Sequence, residues 1–540
     1  MRKPLILFFI IFLLTISASL IACDKASRSL PTENSPIEEE PTTEQTATPA
    51  DYFRFTLLDD DTYEISARYQ DMPADTVLPS TYNGKEVTSI ASRAFEERES
   101  IDTLTIPASI ANVNDMIFGD QRENPITIRY LGSLREWCEM ARNDASLSTQ
   151  SDLYINNAKL EGSLTVPSDT IAIGAYAFYK RDELVSVTLP NSVTDIGAYA
   201  FCECTGLRSI TLPESLTNIG AYAFADCHGL TSFVIPDRVT KIEHNAFMNC
   251  FNLTSLTIGA KVTTIEDVDR LDDTFSYCYK LVEIYNRSSL PITKGDLTYG
   301  QVAFYAKEVY QEAFNSKLRT DENGFILYRD AEDISLIGYN GNDTELIIPA
   351  MVTDIHAGAF YRASELTAVS IPDSVTHIAD HAFESCTKLS AITIPQNVRS
   401  IGAFAFRSCS SLSEITIENG VQTIGQEAFP QTDISEISIP NSVTSIDTGA
   451  FLWCFQLRTV MIGTGMTTLN AQTFFGSPVA SIHLPSTITD IETQVFSTCP
   501  DIHYDGTTED WGSIRKERNW NQEGNYTVHC SDTDLVVTIH

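Results

Sequence analysis

Eight of the twelve cysteines stand three residues after a phenylalanine in a recurring context: Cys204, Cys227, Cys250, Cys278, Cys386, Cys409, Cys454 and Cys499. Thiols in such a row could do two kinds of chemistry. As thiolates they could ligate a soft metal or carry redox traffic. As neighbours they could close disulfides, because coils stacked ~4.8 Å apart bring Cα atoms within disulfide range. The composition of the slot argues against metal ligation. Ala363, Thr432 and Ser477 fill it in other copies, and alanine offers a metal no donor atom. The slot reads better as a small buried hydrophobe. Arg98 and Arg181 occupy it in the opening copy of two runs, where one side would face water. Cys202 gives a weak Cys-x-Cys metal spacing with Cys204 and is expected to point outward.

Other reactive side chains are sparser. His228, His244, His356, His377 and His381 fall at variable positions and read as solvated surface groups. Neither G-x-S-x-G, H-E-x-x-H nor a phosphate-binding loop occurs in the chain. Asp59-Asp60-Asp61 and the turn at Asp321 lack the spacing of a calcium loop. Glu509-Asp510 suits a helix N-terminus. With no nucleophile set beside a base, no catalytic residue, metal or cofactor is assigned, and the chain reads as non-enzymatic.

These side chains are positioned by a repeat. Its phenylalanine recurs at Phe95, Phe118, Phe178, Phe201, Phe224, Phe247, Phe275, Phe360, Phe383, Phe406, Phe429, Phe451, Phe474 and Phe496. Most steps are 23 residues and a few are 22. In "LRSITLP", Leu207, Ile210 and Leu212 alternate inward, and Pro213 ends the strand because it cannot donate to a ladder. Leu216 and Ile219 return along another side. "GAYAFADC" is compact and suits a short helical turn that plugs the coil with Phe224. One coil buries about seven apolar side chains, on the order of 10–20 kcal/mol. Ordering its backbone costs on the order of 20–40 kcal/mol. A single coil therefore cannot stand, and stability requires stacking.

The strand Leu-x-x-Ile-x-Ile resembles that of leucine-rich repeats. The whole unit resembles the BspA-like leucine-rich-repeat family of bacterial surface proteins, over nearly everything after residue 51. The resemblance implies a right-handed superhelical solenoid with one parallel β-sheet of short strands and short helical or turn segments on its other sides. It also implies adhesion to host or neighbouring-cell macromolecules.

The ends add a location. Arg2 and Lys3 precede an apolar stretch ending in Leu20-Ile21-Ala22-Cys23. This is a secretory signal whose end resembles a bacterial lipobox, implying cleavage before Cys23 and acylation there. Residues 1–22 are the signal and 23–50 an acidic Pro/Thr tether too polar to fold. Three repeat sub-arrays are expected at 51–145, 146–284 and 324–499, with a Tyr-rich connector at 285–323, partly helical around Val302 to Phe314, and a cap at 500–540. Each run opens on short strands. "LGSLREWCEM" and "DGTTEDWGSI" close two runs: Ser133 and Thr507 are N-caps with Glu136 and Asp510 as their capping-box partners, and Trp137 and Trp511 cover the exposed ends. A net charge of −36 disfavours nucleic acid, and none is expected as a partner; no later segment is long and apolar enough to cross a bilayer.

One face can recognise a partner. Between the inward residues of each strand stand Ser186, Thr188, Ser209, Thr211, Ser255, Thr257, Thr393, Thr416 and Ser438, with Tyr285 among the interruptions. Such a hydroxyl-lined sheet is either a recognition surface or a set of cross-strand hydroxyl ladders. The expected protein is a lipid-anchored, cell-envelope display of a binding surface for an extracellular protein or glycan, held to the membrane through Cys23. The alternatives are glycan or peptide capture, with the connector at 285–310 supplying aromatics, and a structural spacer.

Overall fold

The computed structural model describes residues 46–118, 125–143, 147, 152–267, 273–521 and 525–537. The expected signal, Cys23 and the expected tether up to residue 45 lie outside them. The tether's last residues dock: Thr48 is buried, and its backbone and hydroxyl bond Val77 at 3.0 and 2.9 Å.

Each coil contributes two strands and a turn side, as the coil around Phe224 illustrates. Ser209–Thr211 pairs in parallel with Leu184–Thr188, aligning Ser186 with Ser209 and Thr188 with Thr211. At the corner, Pro213 accepts a bond from Leu216 N at 3.1 Å. Asn218–Ile219 then pairs with Asp195–Ile196 and Lys241–Ile242. Every coil in a regular run repeats this, so there are two parallel sheet systems where one was expected. In the regular coils the second is built from two-residue strands whose second residue, usually isoleucine, is the buried one.

The third side is not helical. Tyr199 and Glu203 both have φ of 57°, and the equivalent residues of other coils are also left-handed. Alternate amides reach the next coil: Tyr199, Phe201 and Glu203 donate to Ala221, Ala223 and Ala225 at 2.8–2.9 Å. The amides between them close tight turns, as Cys202 does onto Tyr199 at 3.2 Å. A helix would satisfy these groups within the coil; here half are handed on. The small residues permit the close approach. A Cβ on Gly220 would stand 2.7 Å from Ala198 N.

The repeat phenylalanines form the spine. Phe178, Phe201, Phe224, Phe247 and Phe275 stack with ring centroids 5.1–5.4 Å apart. Phe360 to Phe496 form a second ladder at 5.0–5.5 Å. All are buried. This near-parallel stacking is offset, an arrangement aromatic pairs favour.

The described residues form two main hydrophobic cores rather than one for each expected sub-array. One is continuous from Phe53 to Ala306 and the other from Phe325 to Val528. The first run does not end in an exposed cap. Leu134–Glu139 is a helix with the Ser133–Glu136 capping box in place, but Trp137 is fully buried and donates Nε1–H to Ala177 O, in the second run, at 2.9 Å. Arg142 lies over its ring at 4.2 Å and bonds Trp137 O and Met140 O at 2.7 and 3.1 Å. Arg181 is likewise buried rather than open to water, donating to Leu147 O at 3.2 Å. The helix Thr508–Ser513 repeats the module with Thr507 and Asp510. Lys516 lies 4.4 Å over Trp511 and bonds Trp511 O and Ile514 O. This copy closes the array together with the hairpin Tyr526–His529/Asp534–Val537.

Antiparallel hairpins interrupt the parallel stacking at Phe53–Leu57/Tyr63–Ala67, Leu153–Ile155/Ala158–Lys159 and Phe325–Asp330/Asp333–Tyr339. The connector is not helical. Its strand Glu308–Tyr310 adds a rung beside Glu283–Asn286, and Tyr310 stacks on Phe314 at 3.6 Å. The two cores meet at aromatic side chains. Tyr279 packs 4.9 Å from Tyr361 and 4.5 Å from His381. Gly358, at φ 60°, leaves the space Tyr279 fills: a Cβ there would lie 2.5 Å from its side chain.

Candidate binding face

The cysteine row has a structural role. Cys204 donates its S–H to Phe178 O at 3.0 Å, and Cys227, Cys250, Cys278, Cys386, Cys409 and Cys454 do the same to the phenylalanine one coil back at 3.1–3.2 Å. Ser477 makes the equivalent bond to Phe451 O at 2.7 Å, which is why serine is an acceptable occupant of the slot. Cys499 departs, turning to Asp501 O at 3.7 Å. All eleven described cysteines are free thiols. Burial pushes the Cys204 and Cys278 thiols up to about 12, so they stand in the fold as S–H donors. Cys202 is buried too, against expectation. Its side chain is small enough to be covered where Tyr179 and Met248, in the same register, stay half-exposed.

The histidines divide. His377 is exposed and His244, half-exposed, meets Glu266. His228 stacks on Phe251 at 4.2 Å. His356 and His381 are not the solvated groups expected: both are packed at the junction of the two cores. Burial, reinforced by the charge of Lys307, holds the His356 imidazole well below its ordinary range. Three histidines that the repeat pattern did not single out as a group, His483, His503 and His529, align on successive rungs. Their signal was a shared strand position in "SIHLP", "DIHYD" and "YTVHC".

On the strand face, Thr188, Ser209, Thr211, Thr393, Thr416 and Ser438 are exposed, and Ser186, Ser255 and Thr257 half-buried. They fall in register: Ser232 with Ser255, Thr257 with Tyr285, Thr393 with Thr416. Of the anticipated hydroxyl ladder, Ser186 donates to Ser163 at 2.8 Å. Cross-coil hydroxyl bonds lie elsewhere. Thr217, Thr240 and Thr263, beside the two-residue strands, donate to the carbonyls of Thr194, Thr217 and Thr240 at 2.9–3.5 Å. Tyr285 is half-buried beside Phe314, and its neighbour Glu283 is buried, accepting from Ser316 and Lys317 at 2.7 and 2.6 Å. Neither lies free on the face.

Aromatics line two cavities: the connector's Phe304 and Tyr305 border one of about 320 Å³ beside Lys307 and His356, and a second set borders a larger one. At the junction of the cores a cavity of about 510 Å³ is lined by Phe251, Asn252, Lys280, Tyr339, Tyr361 and Arg362. Lys280 is buried, bonds Asn252 Oδ1 at 2.9 Å and has no carboxylate partner among the described residues. Burial pushes its ammonium down to about 8.

A family model described as BspA type leucine rich repeat region matches in six copies over residues 76–138, 150–282, 339–455 and 379–503. Among solved structures, the chain is similar to a leucine rich cell surface protein from Faecalibacterium prausnitzii A2-165, with 23% identity over 87% of this chain and 98% of that one, TM-score 0.34. It is similar to a leucine-rich repeat protein from Eubacterium ventriosum ATCC 27560, with 20% identity over 90% and 97%, TM-score 0.39. It is also similar to the pneumococcal vaccine antigen PcpA, with 16% identity over 89% and 96%, TM-score 0.32. No curated protein matches the chain.

Proposed function

The chain belongs to the BspA-type leucine-rich-repeat family, and from that premise we propose that it is displayed on a bacterial cell surface, held by lipid at Cys23, and binds an extracellular macromolecule through its strand face. One observation carries the reading. The hydroxyls of Thr188, Thr211, Thr393, Thr416 and Ser438 make no hydrogen bond to other described residues, so the fold does not use them. A regular row of unused donors and acceptors on a rigid sheet suits an extended partner. Two acyl chains or more at Cys23 would anchor the protein stably.

A second reading rests on Lys280. A buried ammonium without a counterion costs stability, and a site that keeps one is commonly serving a ligand. Beside Tyr339 and Tyr361, it suits an acidic glycan.

One experiment separates these. Residues 47–540, a single compact unit, are presented to arrays of extracellular proteins and glycans. The face reading expects saturable protein binding that Thr188→Arg/Thr211→Arg or Thr393→Arg weakens at least about tenfold, roughly 1.4 kcal/mol, with the melting temperature unchanged. Carbohydrate binding lost in Lys280→Met establishes the capture reading in its place. Silence on both arrays leaves only the spacer. The anchor has its own measurement: labelled palmitate is expected to enter the wild-type chain in the cell, and Cys23→Ser to abolish it.

A further inference from the structure

Near the end of the second core, Ser481–Leu484, Asp501–Tyr504 and Tyr526–His529 are consecutive strands, and His483, His503 and His529 are aligned across them. The last two stack with ring centroids 4.8 Å apart. Asp501, on the same face, reaches both. Its Oδ2 lies 3.2 Å from His503 Nε2 and its Oδ1 lies 2.9 Å from His529 Nε2. One donor atom from each of the three residues falls within 4.8 Å of the others.

We propose that Asp501, His503 and His529 form a binding site for a divalent transition metal of the zinc type. Two imidazoles and a carboxylate are a donor set this ion favours. A tetrahedral ion with donors at roughly 2.0–2.2 Å holds them about 3.3–3.6 Å apart. The two nitrogens already stand at 2.9 and 3.2 Å from the carboxylate. His529 also has the outer partner that ligating histidines keep: its Nδ1 lies 2.9 Å from Asp534 Oδ1. With an ion on Nε2 in place of the present Asp501 contact, that bond would keep the ring proton on Nδ1. The ladder holds the two histidines one rung apart, and rotation about χ2, a broad torsion, turns both lone pairs toward the ion. All three ligands are half-exposed, so at least one coordination position remains open to water or to a donor from outside. His483 pairs instead with Asp505 at 3.2 Å and stays out of the ligand set.

The rival arrangement is metal-free, with a protonated His529 held between Asp501 and Asp534. Calorimetric titration of Zn²⁺ into the tag-free chain decides between them. One equivalent is expected to bind with micromolar affinity. His503→Ala and His529→Ala are expected to weaken it at least about tenfold, Asp534→Ala by about tenfold, and His377→Ala not at all. Absence of saturable binding below millimolar Zn²⁺, or binding that survives His529→Ala, overturns the site. X-ray absorption on the wild-type chain needs no variant: two imidazole nitrogens around the zinc support the assignment, and an all-oxygen shell refutes it.

Discussion

Trp137→Ala is expected to destabilise the first core by about 3–5 kcal/mol through the cavity alone, and to separate the first run from the second. The indole is fully enclosed between them and donates to Ala177 O. Its loss removes that bond, worth about 0.5–1.5 kcal/mol net, and the ring on which Arg142 rests. Trp137→Phe keeps most of the ring and gives up the N–H, so it is expected to cost less than half as much. Trp511→Ala removes a similar side chain from the end of the array, where only the last rungs depend on it. Urea unfolding of the three variants, with limited proteolysis, measures the difference. Matching profiles for Trp137→Ala and Trp511→Ala would contradict the role of Trp137 as an internal plug.

Phe224→Ala is expected to cost about 3–5 kcal/mol from within a run. Phe224 stacks on Phe201 and Phe247 at 5.4 Å and meets Phe233 at 5.0 Å. Its removal breaks the spine of the core that runs from Phe53 to Ala306. The core from Phe325 to Val528 has its own ladder and is expected to retain its hydrogen-exchange protection. Repeat arrays couple nearest neighbours, and the two cores meet through the aromatic contacts of Tyr279 and a small cluster of Val282, Tyr328 and Ile337 rather than through a shared phenylalanine ladder. Equal loss of protection in both cores would show that the junction at Tyr279 transmits stability as well as a coil interface does.

The coil was legible in the sequence because its signals are local and repeated. Phenylalanine spacing, strand alternation and the post-strand proline each point to one geometry, and the structure follows them. The two capping boxes were legible for the same reason. Three things were not. Left-handed turns at Tyr199 and Glu203 come from bonds to the next coil, and nothing in "GAYAFCEC" distinguishes them from a helical turn. The burial of Trp137 and Arg181 depends on which run packs against them, information held some 40 residues away. The cleft around Lys280 joins Phe251, Tyr339 and Tyr361, which no single repeat contains. On the candidate face, the row of hydroxyls was readable, but which threonines bond across coils was not, since both rows have the same composition.

The turn side gives the molecule a direction. Tyr199, Phe201 and Glu203 give their amides to a coil that is made after them. A ribosome delivers each coil with half of that side unsatisfied, and the next to emerge completes it. The final debt falls on the tail, where Gln494 and Phe496 donate to Asn519 and Trp520 at 3.0 and 2.9 Å. A message cut short after Cys499 would yield a nearly full-length array whose last coil has no recipient.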